Sequence, residues 1–529
     1  MSPVRTDRKR KASAGVRAWE ASVAALTCLV LAAAVTWPML LRPGSGAHDR
    51  TDTLFNTWLM EWNIHAAATL SNPFHPPVFL GQPDANGRSD LLLAQSAAAV
   101  PARLAGAQPL AAHNIVFVIS LAFAGFGLFM LAREAGLDRW GAFFALSAVI
   151  CAPFFQSHLW HIQLMSPGFA FLAMRQAMRI SAGTGAGWVL ALLVVMQCCA
   201  SLYYWLFLGV ALVLSLPWTA VSGGPKGLVR TALWTGAGYA ASALILLLAG
   251  HFSHSSGWSP DSMASTDLSA FVSPWESSRL LGWARPSTTL GEAALWPGIA
   301  AALGALLVVF RRKDAAPLRW GWYFAVSAVV FAAFCLGPTL VVFGRQISPA
   351  PWRLLAGLPG FSSIRLPARA GVFFLASVLL AAGRMVRGRP LIAALGAAMS
   401  LAEVWPGPME LEPVEPRRFH SWLASRDFEA IAILPMGASL DRPEHECTNL
   451  YGSTLHFTPM VNGYGTTLPE GYGRTAEILN SWPSPGADSV IRELGIECLI
   501  CMDRMPPDAD PVWTDGPRPT AAVILVPTE

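Results

Sequence analysis

HDRTDTLFNTWLMEW, residues His48–Trp62, follows a long apolar run, and it opens with two aspartates, Asp49 and Asp52, before a helical segment. From Thr53 its apolar residues recur at three- and four-residue spacing, which predicts a helix. Asp52 stands where a helix N-cap is expected, and Asn56 follows one helical turn later on the same side. Two tryptophans on the apolar face predict a helix that lies in a membrane interface.

The composition around this stretch is that of a membrane protein. The chain has 529 residues, of which 53% are hydrophobic and only 13% charged, whereas soluble proteins carry about 25% charged residues. Residues 1–17 are strongly basic, so we expect a cytoplasmic N-terminus. The apolar run 18–41 is too long for a signal-peptide core and predicts a retained anchor. No basic patch with interleaved aromatic residues indicates a nucleic-acid partner.

Further apolar segments follow, and together they predict an α-helical polytopic membrane protein with about eleven transmembrane helices. Basic residues mark alternate ends of these segments, as the positive-inside rule requires, and the odd count gives an N-in/C-out topology. The predicted spans are 18–41, 110–131, 140–155, 164–180, two within 188–218, 231–250, 293–310, 320–336, 370–382 and 391–405. The segment 91–104 is too short to span and predicts a half-helix.

The tail, residues 406–529, regains charged residues and has no long apolar runs. Segments 430–434, 496–502 and 521–526 read as strands. Pro469 fits the start of a helix, and Gly495 fits the stop of a second one. The tail is therefore predicted to be a small extracytoplasmic α/β domain, and at about 120 residues it has an ordinary domain size.

The eight cysteines do not form a framework. Five lie in apolar spans, where a buried thiol usually acts as a small apolar side chain. Cys498 and Cys501 form a lone Cys-x-x-Cys, which is a weak metal or redox signal. A disulfide from Cys447 to one of these two would require the tail to lie in an oxidising compartment.

Three acids, Asp49, Asp52 and Asp90, are predicted to lie on the outer side near the membrane surface. An acid there can deprotonate an acceptor hydroxyl or bind a cation. Each also has a structural interpretation, since Asp is a common helix cap and Asp90 suits a solvated loop end.

Two pairs of basic residues extend this set. His158 and His161 have the spacing of half a metal site, but no third ligand is evident, which favours a binding or structural role. Arg365 and Arg369 stand at an external membrane boundary, against the positive-inside rule. Arginine binds phosphate through bidentate hydrogen bonds, and the alternative is that both side chains reach to the interface.

Taken in order, these segments resemble bacterial polytopic membrane glycosyltransferase-like proteins of the GT-C fold. The resemblance covers nearly the whole chain. The matching segments are Asp52 to Trp62, Asn72-Pro73-Phe74 with Pro83, Ser89 to Leu92, Ala112-His113-Asn114, Ser157 to Gln163, Ser201 to Tyr204, Leu358 to Arg369, Pro459 to Tyr464 and Leu494-Gly495-Ile496. The family usually has a Ser-Glu pair where this chain has Ser89-Asp90, and the shorter Asp reaches less far.

The resemblance implies a transferase in the bacterial cytoplasmic membrane that takes a hexose or pentose from a polyprenyl-phosphate-linked donor. It implies a GT-C-like transmembrane domain over residues 18–405, with a first external loop at 42–90. Asp52 would be the base for the hydroxyl of a glycan, lipid or protein acceptor, with Asp49 as the second candidate. Asn56, Asp90, His158 and His161 would line the site, and Arg365 and Arg369 would bind the donor phosphate. No cofactor is implied, and the acids do not demand a divalent cation.

Two other classes compete with a transferase. A non-catalytic membrane scaffold or assembly protein would use the tail as its binding module and Asp52 as a cap. A transporter or flippase is less favoured, because transporters carry ionisable residues near mid-membrane and inverted repeats. Here the charges gather at the ends of the spans, and no repeat is evident.

Overall fold

The computed structural model describes residues 3–80, 89–252, 259–274, 276, 278, 280–284, 291–310, 318–358, 360–405, 407–439, 443–502, 510–516 and 520–526, with only the backbone described over 3–17. The N-terminal basic side chains expected to mark the cytoplasmic side, the inner-turn residues Arg311, Arg312 and Lys313, and the motif residues Pro83 and Pro359 lie outside this description.

Most of the described chain is helical. The first part contains α1 (Pro3–Val35), α2 (Asp52–Thr69), α3 (Leu93–Leu104), α4 (Pro109–Glu134), α5 (Arg139–Ile150), α6 (Pro153–Gln156), α7 (Gly168–Ser181), α8 (Gly187–Ala200) and α9 (Leu202–Leu248). The second part contains α10 (Ile299–Phe310), α11 (Gly321–Cys335), α12 (Gly371–Gly383), α13 (Pro390–Val404), α14 (Arg418–Leu423), α15 (Pro443–Ser453), α16 (Tyr472–Asn480) and α17 (Pro485–Glu493).

Every one of the eleven predicted spans contains a helix, although the ends differ by a few residues. Five helical segments of the described chain are long and apolar enough to cross a membrane: Ala18–Val35, Pro109–Glu134, Arg139–Gln156, Leu202–Leu248 and Pro367–Val386. The helices α8, α10, α11 and α13 are apolar but shorter. The chain is therefore mostly helical with several apolar helices, while the count of eleven spans and the N-in/C-out topology stay predictions.

The predicted break between two short spans near Ser201 is confirmed, because α8 ends at Ala200 and α9 begins at Leu202. The helix α9 is itself two arms, since Gly224 has a φ of 62° and Pro225 follows it. Proline cannot donate the backbone hydrogen bond of a continuing helix, and glycine tolerates positive φ. The 47 residues of α9 therefore do not run as one straight rod.

Glycines allow α5 and α12 to approach closely. A Cβ atom on Gly141 would lie 2.5 Å from the carbonyl oxygen of Gly383, and one on Gly383 would lie 2.8 Å from the oxygen of Gly141. Small residues at such crossings let helix backbones pack directly, which is a common device between apolar helices.

Two compact units make up the chain. The first contains residues 1–41, 116–242 and 256–409, and the second contains 42–115, 243–255 and 410–529. Residues of the predicted first external loop thus belong to the same unit as the tail. The described part of the first unit also contains a hairpin that the sequence did not predict, in which β1 (Thr339–Val342) pairs antiparallel with β2 (Arg345–Pro349).

The tail forms the predicted α/β arrangement. Its strands are β3 (Ile431–Leu434), β4 (Cys498–Met502), β5 (Trp513–Thr514) and β6 (Ala521–Leu525), in the order β3-β4-β6-β5. β3 and β4 are parallel and fully buried, and the helices α15 to α17 supply the crossover that a parallel pair needs. All eight cysteines are free, so the structure contains no disulfide at Cys447.

Part of the predicted first external loop adds to this core within the second unit. Leu80 donates a backbone hydrogen bond to Met460 (3.0 Å), and Phe79 donates one to Asn462 (3.1 Å). The Asn462 side chain bonds both the N–H and the C=O of Ile433 in β3, at 2.7 and 2.9 Å. The segment Pro459 to Tyr464 therefore connects the loop to strand β3 through hydrogen bonds.

A buried histidine pair lies between α14 and the segment after α15. The Nδ1 atom of His420 is 3.1 Å from the Nε2 atom of His456, whose Nδ1 accepts from the backbone N–H of Thr458 (2.9 Å). These contacts assign the His456 proton to Nε2, which donates to His420. A Cβ atom at Gly452 would overlap the His420 ring, so the ring packs directly on the helix backbone.

Acidification is expected to destabilise the tail through these two histidines. Burial lowers the pKa of His456 to about 4, and burial, with His456 and Arg417 nearby, lowers the pKa of His420 well below 6.5. Both are neutral when folded but take up protons below pH 6.5 when unfolded. Their stabilisation is therefore complete above pH 6.5 and is lost as the pH falls towards 4, by at most about 2 kcal/mol per histidine at pH 5.

Limited proteolysis of the tail in the full-length, detergent-solubilised protein, from about pH 8 to about pH 5, measures this loss. The double variant His420→Phe/His456→Leu keeps the apolar volume and removes both titrating groups, so its protection should change less with pH. A double variant with the same pH profile as the native chain would contradict the assignment.

Candidate functional site

The helix after the first apolar segment is capped by Asp49. α2 begins at Asp52, with Thr51 at the N-cap position and no side-chain cap bond from it. The Asp49 Oδ1 atom accepts from the backbone N–H and the hydroxyl of Thr51 (2.7 and 2.6 Å), and Oδ2 accepts from the same two groups of Thr53 (3.2 and 2.5 Å). The prediction that Asp52 is the N-cap is therefore wrong.

Removing this cap is expected to weaken the fold. Asp49→Ala leaves four donors without their acceptor, so we expect a loss of about 1–2 kcal/mol in the free energy of unfolding. Asp49→Asn should lose much less, because Asn caps helices about as well as Asp. Thermal melting in detergent measures both variants, and an Asp49→Ala protein that melts like the native one would rule out the cap.

Asp52 lies in the first turn of α2, where the partial positive charge of the helix N-terminus favours a carboxylate. It is half-buried, and Asn56, one turn later, is buried. α15 packs against α2 and carries Cys447. The pKa of the Cys447 thiol is raised well above its ordinary value, mainly by burial and then by the carboxylates of Asp52 and Asp49. The carboxylates of both acids therefore lie near Cys447 of α15.

α2 is a core helix. Trp58 and Trp62 are 1% and 6% exposed, and the Trp62 indole donates to the carbonyl of Pro73 (2.9 Å). All residues from Thr53 to Asn63 are buried. The prediction of an interfacial helix is wrong, because both tryptophans that supported it pack inside the protein.

Asp90 lies beside a part of α2 that is far from Asp52. It is half-buried and precedes Leu91, whose carbonyl accepts from the Asn63 side chain (3.0 Å). Asn63 is eleven residues after Asp52, which is about 16 Å along a helix axis. His251 binds the carbonyl of Ser89 (3.0 Å), so the loop end is fixed from two sides. Asp90 is therefore separated from Asp52 along α2.

In the first unit, His158, His161 and Arg369 come together around an acid that the sequence analysis did not select, Glu292. Arg369 Nη2 lies 3.0 Å from Glu292 Oε2 and 3.4 Å from His161 Nε2. His158 Nε2 lies 3.6 Å from the same Glu292 oxygen. Arg369 is 8% exposed, and its guanidinium carbon lies 4.6 Å above the ring of Tyr203. We call His158, His161, Glu292 and Arg369 the arginine cluster.

Charge in the arginine cluster is arranged so that Glu292 stays ionised. Burial alone would raise the pKa of the Glu292 carboxyl, but the positive charge of Arg369 outweighs it and lowers the pKa. Burial lowers the pKa of His158 to about 3, so His158 is neutral at pH 7 and its contact with Glu292 is no ion pair. Its Nδ1–H donates to the carbonyl of Phe154 (2.6 Å), which leaves Nε2 as an acceptor beside the carboxylate.

This arrangement favours binding of an anionic or hydroxyl-bearing group over a metal ion. Glu292 supplies the third acid or imidazole that the pair His158 and His161 lacked in the sequence, but the guanidinium of Arg369 already neutralises it. A cation would be repelled by that guanidinium. Among the residues that the structure describes, no group of three or more His, Cys, Asp or Glu side chains is arranged to hold a metal.

Arg365 differs from Arg369 in its surroundings. Its side chain is exposed, and its backbone carbonyl accepts from the N–H of Ala264 (2.9 Å). Arg369 is buried at the start of α12, in the helical segment that is apolar enough to span a membrane. The Arg365 side chain is therefore exposed, whereas the Arg369 side chain is buried and held in place by protein groups.

Glu292 was not among the predicted site residues, although the sequence contained a signal for it. The signal was its position: it follows Gly291 and directly precedes an apolar segment. A carboxylate at the edge of an apolar segment needs a partner. Arg369, a basic residue at the edge of another apolar segment, needs one too.

The sequence matches no family model and no curated protein. A solved structure of arabinofuranosyltransferase AftD from Mycobacteria aligns with 96% of this chain and 41% of that chain, at 16% sequence identity and a TM-score of 0.53. A second structure of that protein gives the same identity and TM-score. The chain thus spans about two fifths of the length of the solved chain it matches. The Archaeoglobus fulgidus oligosaccharyltransferase, solved with Zn and sulfate, aligns at 12% identity over 90% of this chain and 68% of that one, with a TM-score of 0.47. The likeness to AftD shows that this chain has a GT-C-like fold.

Proposed function

We propose that the chain is a membrane glycosyltransferase that transfers a hexose or pentose from a polyprenyl-phosphate-linked donor to an acceptor at the outer face of a bacterial cytoplasmic membrane. The observation that carries the proposal is the arginine cluster. A guanidinium that is buried at the edge of an apolar helix is costly unless it is paired, and here its partners leave a cation and a hydrogen-bond acceptor side by side. That combination suits a lipid-phosphate leaving group, whose negative charge grows as the sugar departs.

The donor roles fall to residues of the first unit. Arg365 and Arg369 bind the phosphate, and the paired Glu292 fixes the direction of the Arg369 guanidinium. His158 and His161 line the cluster, with the Nε2 atom of the neutral His158 as an acceptor for a sugar hydroxyl. The likeness to an arabinofuranosyltransferase in fold supports a sugar donor but does not name the sugar.

The acceptor roles fall to residues of the second unit. Asp52 is the base that takes the proton of the acceptor hydroxyl, and Asn56 and Asp90 contribute to binding. The four hydrogen bonds that Asp49 accepts give it a structural task, so Asp52 is the preferred base.

Donor consumption tests the proposal. Purified full-length protein in lipid nanodiscs is incubated with radiolabelled polyprenyl-phospho-pentose and, separately, polyprenyl-phospho-hexose, in the presence of a membrane extract as acceptor. The expected result is release of polyprenyl phosphate with label entering the acceptor fraction. A protein that consumes neither donor class, while remaining folded, would contradict a transferase and favour the scaffold function.

A further inference from the structure

A polar groove lies in the second unit. Its volume is about 570 Å³, within the range of small-molecule sites. Its polar lining residues are Arg50, Glu415, Arg417, Glu444, His445 and Thr448. Pro413, Val414 and Pro443 supply apolar surface between them. We call this cavity the tail groove.

The cations of the tail groove are fixed by protein groups. Arg50 donates through Nε to Glu412 (2.8 Å) and through Nη2 to the carbonyl of Pro413 (3.3 Å). Arg417 donates through Nη1 to the Asn449 side chain (3.1 Å). The Arg50 guanidinium has five donors, so its two contacts set its direction and leave donors for a ligand. The contact with Asn449 orients the Arg417 guanidinium.

The acids of the groove balance these cations. Glu415 and Glu444 are exposed carboxylates, so two acids face two arginines and the lining is close to neutral. Such a groove has no net attraction for a phosphate or another anion, and the arginines repel a metal ion. It offers alternating donors and acceptors beside apolar proline and valine surface, which matches a neutral ligand rich in hydroxyl groups.

A saccharide fits this lining better than a polypeptide does. Peptides are usually held by an exposed strand edge or by apolar pockets for anchoring side chains. The described lining is built from charged side chains, prolines and the first turns of α15, with no strand in it. Sugar hydroxyls, in contrast, act as donor and acceptor at once and satisfy Glu and Arg side chains together.

The groove also adjoins the candidate base. Arg50 lies between Asp49 and Asp52 in the chain, and Glu444 and Thr448 belong to α15, the helix that packs on α2. Cys447 lies between these two residues of α15, and burial followed by the Asp52 carboxylate raises the pKa of its thiol. A ligand in the tail groove would therefore lie next to the loop that presents Asp52.

We propose that the tail groove is the subsite for a neutral saccharide acceptor. This inference rests on the proposed function for the role of acceptor, whereas the binding of a saccharide can be measured without any donor. Glu415 and Glu444 accept hydrogen bonds from sugar hydroxyls, and Arg50 and Arg417 donate to the ring and hydroxyl oxygens.

Binding of neutral linear tetrasaccharides, in a pentose series and a hexose series, tests the inference. Full-length protein in nanodiscs is titrated by saturation-transfer NMR, first as the native chain and then as the double variant Glu415→Gln/Glu444→Gln. Both positions are exposed, so the variant should fold. We expect saturable binding of at least one series by the native chain, with affinity reduced at least about tenfold in the variant. Glu477→Gln, an exposed acid on α16 outside the groove, is the matched control and should bind like the native chain.

The outcomes separate the two proposals. Donor consumption without saccharide binding, or binding that the double variant does not weaken, overturns the groove inference and leaves the transferase intact. If short peptides bound in the tail groove and no saccharide competed with them, the inference would be overturned in favour of a peptide site. The inference is supported if the double variant binds saccharide more weakly than the native chain and shows two changes in the transfer assay. Its acceptor KM should be at least about tenfold higher, with a kcat within about twofold of native. Groove-dependent binding by a protein that consumes no donor overturns the acceptor role and, with it, the proposed function.

Discussion

Asp52→Asn is expected to reduce sugar transfer at least about 100-fold while leaving the fold intact, because a general base contributes on the order of 10²- to 10⁴-fold. The amide has the shape of the carboxylate but cannot take a proton from the acceptor hydroxyl. The helix cap belongs to Asp49, so the substitution does not uncap α2. The favourable interaction of the Asp52 charge with the helix N-terminus is lost, which costs about 0.3–1 kcal/mol.

The matched control is Asp488→Asn, which removes a first-turn acid from α17 in the same unit. It should lose a similar small amount of stability and no activity. Initial rates with either donor class and melting curves in detergent measure both variants. If Asp52→Asn retained transfer to within about threefold of native, less than a lost general base would cost, Asp52 would not be the base.

Arg369→Gln is expected to have two separable effects, one on turnover and one on stability. Loss of the guanidinium should lower donor turnover about 100-fold or more, since a buried donor that stabilises developing charge is worth about that much. It also leaves the Glu292 carboxylate without its cation. We expect this to cost about 2–3 kcal/mol, below the value for a fully buried pair, because the Glu292 side chain is 30% exposed.

Adding Glu292→Gln to the Arg369→Gln variant distinguishes these effects. The double variant no longer contains an uncompensated charge, so its melting temperature should return most of the way to native while its turnover stays low. Arg353→Gln, which breaks an exposed pair with Asp261 in the same unit, should change neither turnover nor melting. A double variant that regained turnover would show that Arg369 acts only in folding.

The helical framework was predictable because apolar segments report directly on burial in lipid or protein. Each of the eleven predicted spans contains a helix, and the break at Ser201 is where the sequence placed it. The α2 environment was not predictable, since Trp58 and Trp62 fit a lipid interface and a protein core equally well. The hairpin of β1 and β2 was missed because its residues lack a clear polar alternation over so short a length.

The candidate site shows a similar division. The residue types of His158, His161 and Arg369 were informative, because charges at the edge of apolar segments need partners. Their shared partner Glu292 is 77 residues from Arg369 in the chain, and no local pattern joins the two. The cap belongs to Asp49 and not to Asp52 because the Asp49 carboxylate bonds Thr51 and Thr53, and a sequence does not record such side-chain geometry.

The separation of Glu292 and Arg369 also bears on how the protein is assembled. α10 and α11 lie between the two residues, so their ion pair closes a loop that contains both helices. During synthesis the carboxylate emerges first and has no cation until the start of α12 has been made. Closing so long a loop costs entropy that local contacts do not repay. The pair therefore forms only after the start of α12 has been made, and a chain in which α10 or α11 keeps the two residues apart retains an uncompensated carboxylate.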